Sequence, residues 1–81
     1  MRIQILAFAG LREIVGGAER TLEVPDGETA GRAWDALARE FPRLAEIERS
    51  IRLARNGAFV ERDAALRDGD VLAIMPPFGG G

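Results

Sequence analysis

The chain contains no cysteine, no histidine, no tyrosine and no lysine, and a single serine, Ser50. Without cysteine there is no disulfide, and without cysteine and histidine a transition-metal site lacks both of its usual ligand types. General acid–base work near neutral pH falls to histidine, or to a carboxylate or lysine with a shifted pKa. Only carboxylates remain, and 81 residues enclose little interior in which to shift one. A serine nucleophile needs a base, and Ser50 has none beyond Asp and Glu. These absences argue against a self-sufficient enzyme. They predict that any chemistry is done to this chain by partners that supply the catalytic groups, and that the chain itself binds no metal and no cofactor.

Two further shortages narrow the partners. There is no block of one charge sign, and the net charge is −2, so no positive stripe exists for nucleic acid or for an anionic membrane surface. No apolar run approaches a membrane span, and no signal-peptide pattern opens the sequence. A cysteine-free domain of this size fits the cytoplasm. Hydrophobic content of 47% against 30% charge is that of an ordinary globular domain, and the length allows one.

What is present is most informative at the end. Val71-Leu72-Ala73-Ile74-Met75 is an apolar run too short for a helix and suited to a strand inside a sheet. Pro76-Pro77 removes two backbone donors, so no ladder continues past it. Phe78 is a single bulky handle, followed by Gly79-Gly80-Gly81. Glycine has no Cβ, so nothing shields the Gly81 carboxylate from a reagent or a narrow channel. The expected organisation is a folded domain over 1–75 and a flexible tail over 76–81, with the Gly81 carboxylate as the functional group. All eleven basic residues are arginine, so an activated acyl group at Gly81 would find no side-chain amine on its own domain.

The remaining elements follow from periodicity. Arg2 to Ala9 alternates as a strand, with Ile3, Ile5 and Ala7 on one face and Arg2, Gln4, Leu6 and Phe8 on the other. Leu11 to Val15 allows one helical turn closed by Gly16-Gly17, with Arg12 and Glu13 solvated. Glu19 to Val24 alternates again. Thr29 is a candidate N-cap for a helix over Ala30 to Phe41, whose stripe is Ala30, Ala33, Trp34, Leu37, Ala38 and Phe41; Asp35 and Arg39 stand at an i,i+4 spacing. Leu44 to Ser50 reads as a loosely helical connector. Ile51 to Arg55 and Ala58 to Glu61 are strands joined by Asn56-Gly57, the signature of a type I′ hairpin. Asp63 to Leu66 is a connector anchored by Leu66, and Asp68-Gly69-Asp70 turns the chain into the final strand.

A hairpin followed by a helix buries its apolar surfaces only if the helix lies across the sheet. The all-apolar last strand belongs in the middle, parallel to the first. The expected fold class is therefore α+β: a ubiquitin-like β-grasp, with a mixed sheet of about five strands and one main helix across one face. The opposite face should be polar, and it is only partly so. Leu6, Phe8, Ala73 and Met75, with Phe78 in the tail, predict an apolar patch beside the tail exit that suits a partner-docking surface.

Two segments resemble a known family. Phe8-Ala9-Gly10-Leu11-Arg12-Glu13-Ile14-Val15-Gly16 and Leu66 through Gly81 resemble the first-strand segment and the C-terminus of the small, sulfur-carrying subunit of molybdopterin synthase, the MoaD type. That C-terminus reads Pro-Pro, two variable residues, Gly-Gly; here Phe78 and Gly79 fill the variable places, and the third glycine is a departure. The resemblance implies that an ATP-dependent enzyme adenylates Gly81, and that sulfur replaces AMP to give a thiocarboxylate. It implies that the tail of Pro76, Pro77, Phe78, Gly79 and Gly80 then enters the large catalytic subunit, in a heterotetramer, and delivers sulfur to a cyclic pyranopterin. Other readings share the same tail: a sulfur carrier for thiamin or tRNA thiolation, and a ubiquitin-like protein modifier. A plain β-grasp interaction module with an inert tail is the reading from a different class.

Overall fold

A computed structural model describes residues 1–76, with the side chains at 48 and 49 outside that description. The elements run β1 (Arg2–Ala7), α1 (Leu11–Val15), β2 (Glu19–Glu23), α2 (Ala30–Glu40), a run of 3-10 turns (Pro42–Ser50), β3 (Arg52–Arg55), β4 (Ala58–Val60) and β5 (Val71–Met75). One sheet has the order β2-β1-β5-β3-β4. β5, apolar throughout, takes the centre. It runs parallel to β1, with Ile5 level with Leu72, and antiparallel to β3, with Leu53 level with Ile74. The outer pairs, β1–β2 and β3–β4, are antiparallel. This is the expected β-grasp arrangement.

Alternation then sorts the side chains. Ile3, Ile5 and Ala7 of β1, Leu53 of β3 and Leu72 and Ile74 of β5 face one side. There they meet Ala30, Ala33, Trp34 and Leu37 of α2 in one buried cluster. Leu11 and Val15 of α1 close one end, and Leu44 and Leu66 are buried in the same cluster. Trp34 and Leu37 have no exposed surface, and full burial of such side chains stabilises by roughly 1.5–3 kcal/mol each.

The start of α2 is satisfied from two sides. The Thr29 hydroxyl accepts from the Arg32 N–H at 3.3 Å, as an N-cap should. The Ala30 and Gly31 N–H groups donate to the Ala64 and Arg62 carbonyls, each at 2.8 Å, so the connector after β4 is stitched across the helix start. Arg62 lies so close that a Cβ on Gly31 would stand 2.7 Å from the Arg62 Cβ. Arg62 also donates to both oxygens of Asp35 at 2.9 Å. The helical spacing predicts an Asp35–Arg39 pair; the carboxylate takes Arg62 instead, because the connector brings a guanidinium to it from a distant part of the chain.

Several boundaries differ from the sequence reading: β1 stops at Ala7 rather than Ala9, β2 at Glu23 rather than Val24 and β4 at Val60 rather than Glu61. α2 ends at Glu40, with Phe41 as its cap, because Pro42 biases the residue before it away from helix. The connector is more regular than expected, a succession of 3-10 turns from Pro42 to Ser50 held by fully buried Leu44. β3 begins at Arg52, one residue later than expected, with Ile51 half-buried just before it. The Asn56-Gly57 turn is as predicted: φ is +49° and +88°, both left-handed, as a type I′ hairpin requires. Arg12 is exposed, as expected, yet its Nε donates to the Ala7 carbonyl at 3.2 Å and ties α1 to the end of β1.

The Asn56 side chain also fastens the centre of the sheet. Its amide NH2 donates to Asp70 at 2.9 Å, and its oxygen accepts the Val71 N–H at 2.9 Å. Asp70 receives a second bond from the Arg67 N–H at 2.8 Å. The Asn56 bond, and after it the Arg67 N–H, hold the Asp70 carboxyl below the usual carboxylate range. A carboxylate with a depressed folded pKa contributes stability that is complete above its unfolded pKa and disappears as pH falls through the folded one.

Two stability measurements check these assignments. Leu37→Ala should cost about 2–5 kcal/mol in urea unfolding at neutral pH, through the cavity it leaves in the cluster. Asn56→Ala should be less stable than the parent at neutral pH. The gap should narrow as pH falls below the ordinary carboxylate range, where Asp70 is protonated in both proteins. It should not close, because the lost Val71 bond does not titrate; a gap that is constant with pH would show that the Asn56–Asp70 bond contributes nothing.

Candidate functional site: the outer face of the sheet

Parallel pairing puts the C-terminal ends of β1 and β5 side by side. Phe8 follows β1, and its N–H continues the ladder to the Ile74 carbonyl at 3.2 Å. Pro76 follows β5 and is half-buried. The tail residues assigned from sequence, Pro77, Phe78, Gly79, Gly80 and Gly81, lie outside the described residues.

The face of the sheet turned away from α2 is legible from the register. Leu6 is level with Ala73, Ala73 with Ala54, and Ala54 with Phe59. These four form an apolar row across the sheet from β1 to β4. Neighbouring strands lie about 4.8 Å apart, so the row spans roughly 14 Å. One step nearer the tail, Phe8 and Met75 stand on adjacent strands, with Arg52 level with Met75. The Arg52 guanidinium lies over the Phe59 ring, 4.9 Å from its centroid, a cation–π contact that closes the β4 side. Glu19, level with Leu6, closes the β2 side.

Phe8 and Phe59, 40% and 59% exposed, are the exposed large hydrophobic side chains among the described residues. Both are on or beside this face. The structure thus places Leu6, Phe8, Ala73 and Met75 together, as the sequence predicts, with one correction. Met75 is 9% exposed and belongs to the floor of the patch rather than to its accessible surface. The reason is its strand: β5 is central, so neighbours stand on both sides of it. Met75 and Ala54 are buried without joining the cluster under α2, as residues of the opposite face should be.

Sequence reasoning missed Ala54, Phe59 and Arg52. The signal was available in the hairpin. A two-residue turn pairs Arg55 with Ala58 and therefore Ala54 with Phe59, and Leu53 facing inward puts both of those outward. Nothing in this face resembles a catalytic centre. Among the described residues, no cluster of His, Cys, Asp or Glu could hold a metal ion, and no helix is long and apolar enough to cross a membrane. The arrangement can do one thing: present an apolar, partly aromatic surface, edged by one cation and one anion, beside the point from which the chain continues past Pro76.

A helix laid across a mixed five-stranded sheet with parallel first and last strands defines a ubiquitin-like β-grasp protein. Comparison with known proteins narrows that class. The ThiS family matches residues 5–81, and the chain belongs to that family. It is 37% identical over 81 residues to the molybdopterin synthase sulfur carrier subunit of Arabidopsis thaliana, an alignment covering 100% of this chain and 84% of that one. Among solved structures it superposes on SAMP1, a small archaeal modifier protein of Haloferax volcanii, with a TM-score of 0.86 and 30% identity over 100% of both chains. A complex of subunits 1 and 2 of the molybdopterin-converting factor from Helicobacter pylori contains a chain of the same fold. There the TM-score is 0.71 and the identity 22%, over 100% of each chain.

If this face is the docking surface, Phe8→Asp and Phe59→Asp should each weaken binding of a partner subunit at least tenfold, a loss of about 1.4 kcal/mol or more. Both should leave thermal unfolding close to that of the parent. Unfolding of Phe8→Asp at a much lower temperature would show that Phe8 packs into the fold rather than onto a partner.

Proposed function

We propose that this chain is a sulfur carrier of molybdopterin synthesis. The observation that carries the reading is the full-length similarity to a molybdopterin synthase sulfur carrier subunit, in a chain that ends in Gly79-Gly80-Gly81. An activating enzyme joins the Gly81 carboxylate to AMP from ATP and releases pyrophosphate. A sulfur donor then displaces AMP, leaving a thiocarboxylate. The chain contributes no catalytic side chain and holds no cofactor; ATP is used by the activating enzyme. The large synthase subunit accepts the tail, and the thiocarboxylate sulfur passes to a cyclic pyranopterin. Two carriers and two large subunits make the heterotetramer.

Physical considerations support delivery by the tail. A Gly-Gly-Gly terminus is narrow enough for a deep channel. Phe78 to Gly81 reach roughly 13 Å when extended, the depth of a cleft. Ordering that segment costs conformational entropy, and an apolar surface beside the tail exit supplies affinity to offset it.

A second reading has its own support. SAMP1 is a small archaeal modifier protein and is 30% identical to this chain over its full length. On that reading Gly81 forms isopeptide bonds with other proteins. Mass spectrometry after incubation with an activating enzyme, ATP and a sulfur source separates the two. A carrier gains one sulfur in exchange for one oxygen at Gly81; a modifier gives adducts on other proteins; an unchanged mass refutes both. Deleting Gly81 should abolish sulfur transfer while leaving the thermal unfolding midpoint where it was. A marked fall in the midpoint would mean that Gly81 is part of the folded body.

A further inference from the structure

Asn56 is the chain's one asparagine, and glycine follows it. The pair that makes the β3–β4 turn is also chemically labile. The backbone nitrogen of the residue after an asparagine can attack the side-chain Cγ, and a glycine there has no Cβ to obstruct the approach. Asn56 is exposed and lines a surface cavity with Arg55, Ala65, Arg67 and Asp70, so water reaches it.

The electrophile is tied down. The amide NH2, the group that would leave, donates to Asp70 Oδ1 at 2.9 Å, and the amide oxygen accepts the Val71 N–H at 2.9 Å. The Asn56 backbone N–H donates to the Val71 carbonyl at 2.8 Å. Asp70 is itself fixed by the Arg67 N–H at 2.8 Å. Sheet order puts β5 and β4 on opposite sides of β3. The side chain is therefore drawn toward β5, while the chain turns at Gly57 toward β4. To meet the Gly57 nitrogen, the side chain must give up both of its bonds.

We propose that Asn56 is a deamidation site held shut by its clasp to Asp70 and Val71. When the clasp opens, the Gly57 nitrogen bonds to the Asn56 Cγ and the Cγ–Nδ2 bond breaks. The Gly57 N–H proton passes through solvent to the leaving nitrogen, which departs as ammonia. Water then opens the five-membered imide at either carbonyl. One opening leaves an aspartate; the other leaves an isoaspartate, whose main chain is one carbon longer. Neither product restores the clasp. A carboxylate has no N–H to give Asp70, and it sets a second negative charge at hydrogen-bond distance from the first. Arg55, whose guanidinium donates to the Ala65 carbonyl at 2.7 Å, and Arg67 line the same cavity and offset part of that repulsion. The isoaspartate lengthens a turn built for two residues, and so disturbs the pairing of Ala54 with Phe59 beyond it. The change is one-way: it weakens the β3–β5 seam and loosens an aromatic side chain of the outer face. None of this depends on what Gly81 carries.

The test uses the full chain in mildly alkaline buffer, with peptide mass mapping to follow the replacement of NH2 by OH at residue 56. The folded parent should convert at least about tenfold more slowly than the chain in guanidinium chloride at the same pH, because reaction waits on local opening. Equal rates, or no conversion in the denaturant, would overturn the proposal. Asp70→Ala removes the acceptor of the leaving NH2 and should convert about fivefold or more faster than the parent. Asp70→Asn keeps an acceptor oxygen and should convert more slowly than Asp70→Ala. Leu37→Ala loses its stability under α2, far from the clasp, and should stay near the parent rate while it remains folded. Acceleration by Leu37→Ala but not by Asp70→Ala would overturn the proposal, since global unfolding would then govern the reaction. Asn56→Asp supplies one product directly and should unfold at a lower temperature than the parent; an equal midpoint would overturn the claim that the product weakens the sheet.

Discussion

The pairing of β1 with β5 is the contact on which the rest of this molecule depends. It joins the two ends of the chain, residue 5 to residue 72, at the centre of the sheet. Remove it and the sheet falls into the β1–β2 pair and a three-stranded β5–β3–β4 piece, with the apolar surface that holds α2 divided between them. Because the pairing is parallel, the two strands finish at the same edge. That geometry brings Phe8 beside Met75. The outer apolar face and the point from which the chain continues past Pro76 are neighbours because of one choice of strand direction.

Much of this was legible in the residues. The α2 stripe from Ala30 to Leu37 can be buried only against a sheet. Val71 to Met75 has no polar side to show to water, which makes it central. Asn56-Gly57 names its own turn type. Less legible were features that depend on long-range neighbours. Asp35 has Arg39 one turn away on its own helix, yet pairs with Arg62, because the connector lies across the helix start. Met75 alternates outward as expected but is covered, since exposure of a strand residue depends on how many strands flank it. The 3-10 run from Pro42 to Ser50 has no strong periodic signal; buried Leu44 sets its place. The tail assignments rest on the sequence and on relatives, for residues 77–81 lie outside the described structure.

The division of labour follows from composition and fold together. The interior is apolar, and buried hydrophobic residues rather than buried charge hold α2 on the sheet. Among the described residues no cluster of His, Cys, Asp or Glu could hold a metal ion. What the body supplies is shape: a stiff sheet, an apolar face and a fixed point of departure for the tail. In the proposed function this suffices, because the reactive atom is a backbone carboxyl and its reagents belong to other proteins. Discrimination between a sulfur-accepting partner and an activating enzyme then has to come from the face rather than from the tail, whose glycines offer little to recognise.

The central position of β5 has a further consequence for biosynthesis. A ribosome delivers β1, α2 and the β3–β4 hairpin first, but the strand that unites them only afterwards. Any chain interrupted before Val71 leaves β1 and β3 with unpaired inner edges, the state most prone to mispairing and to capture by proteases. Folding therefore acts as a proofreading step against early interruption, since a molecule cut short before β5 cannot close its sheet.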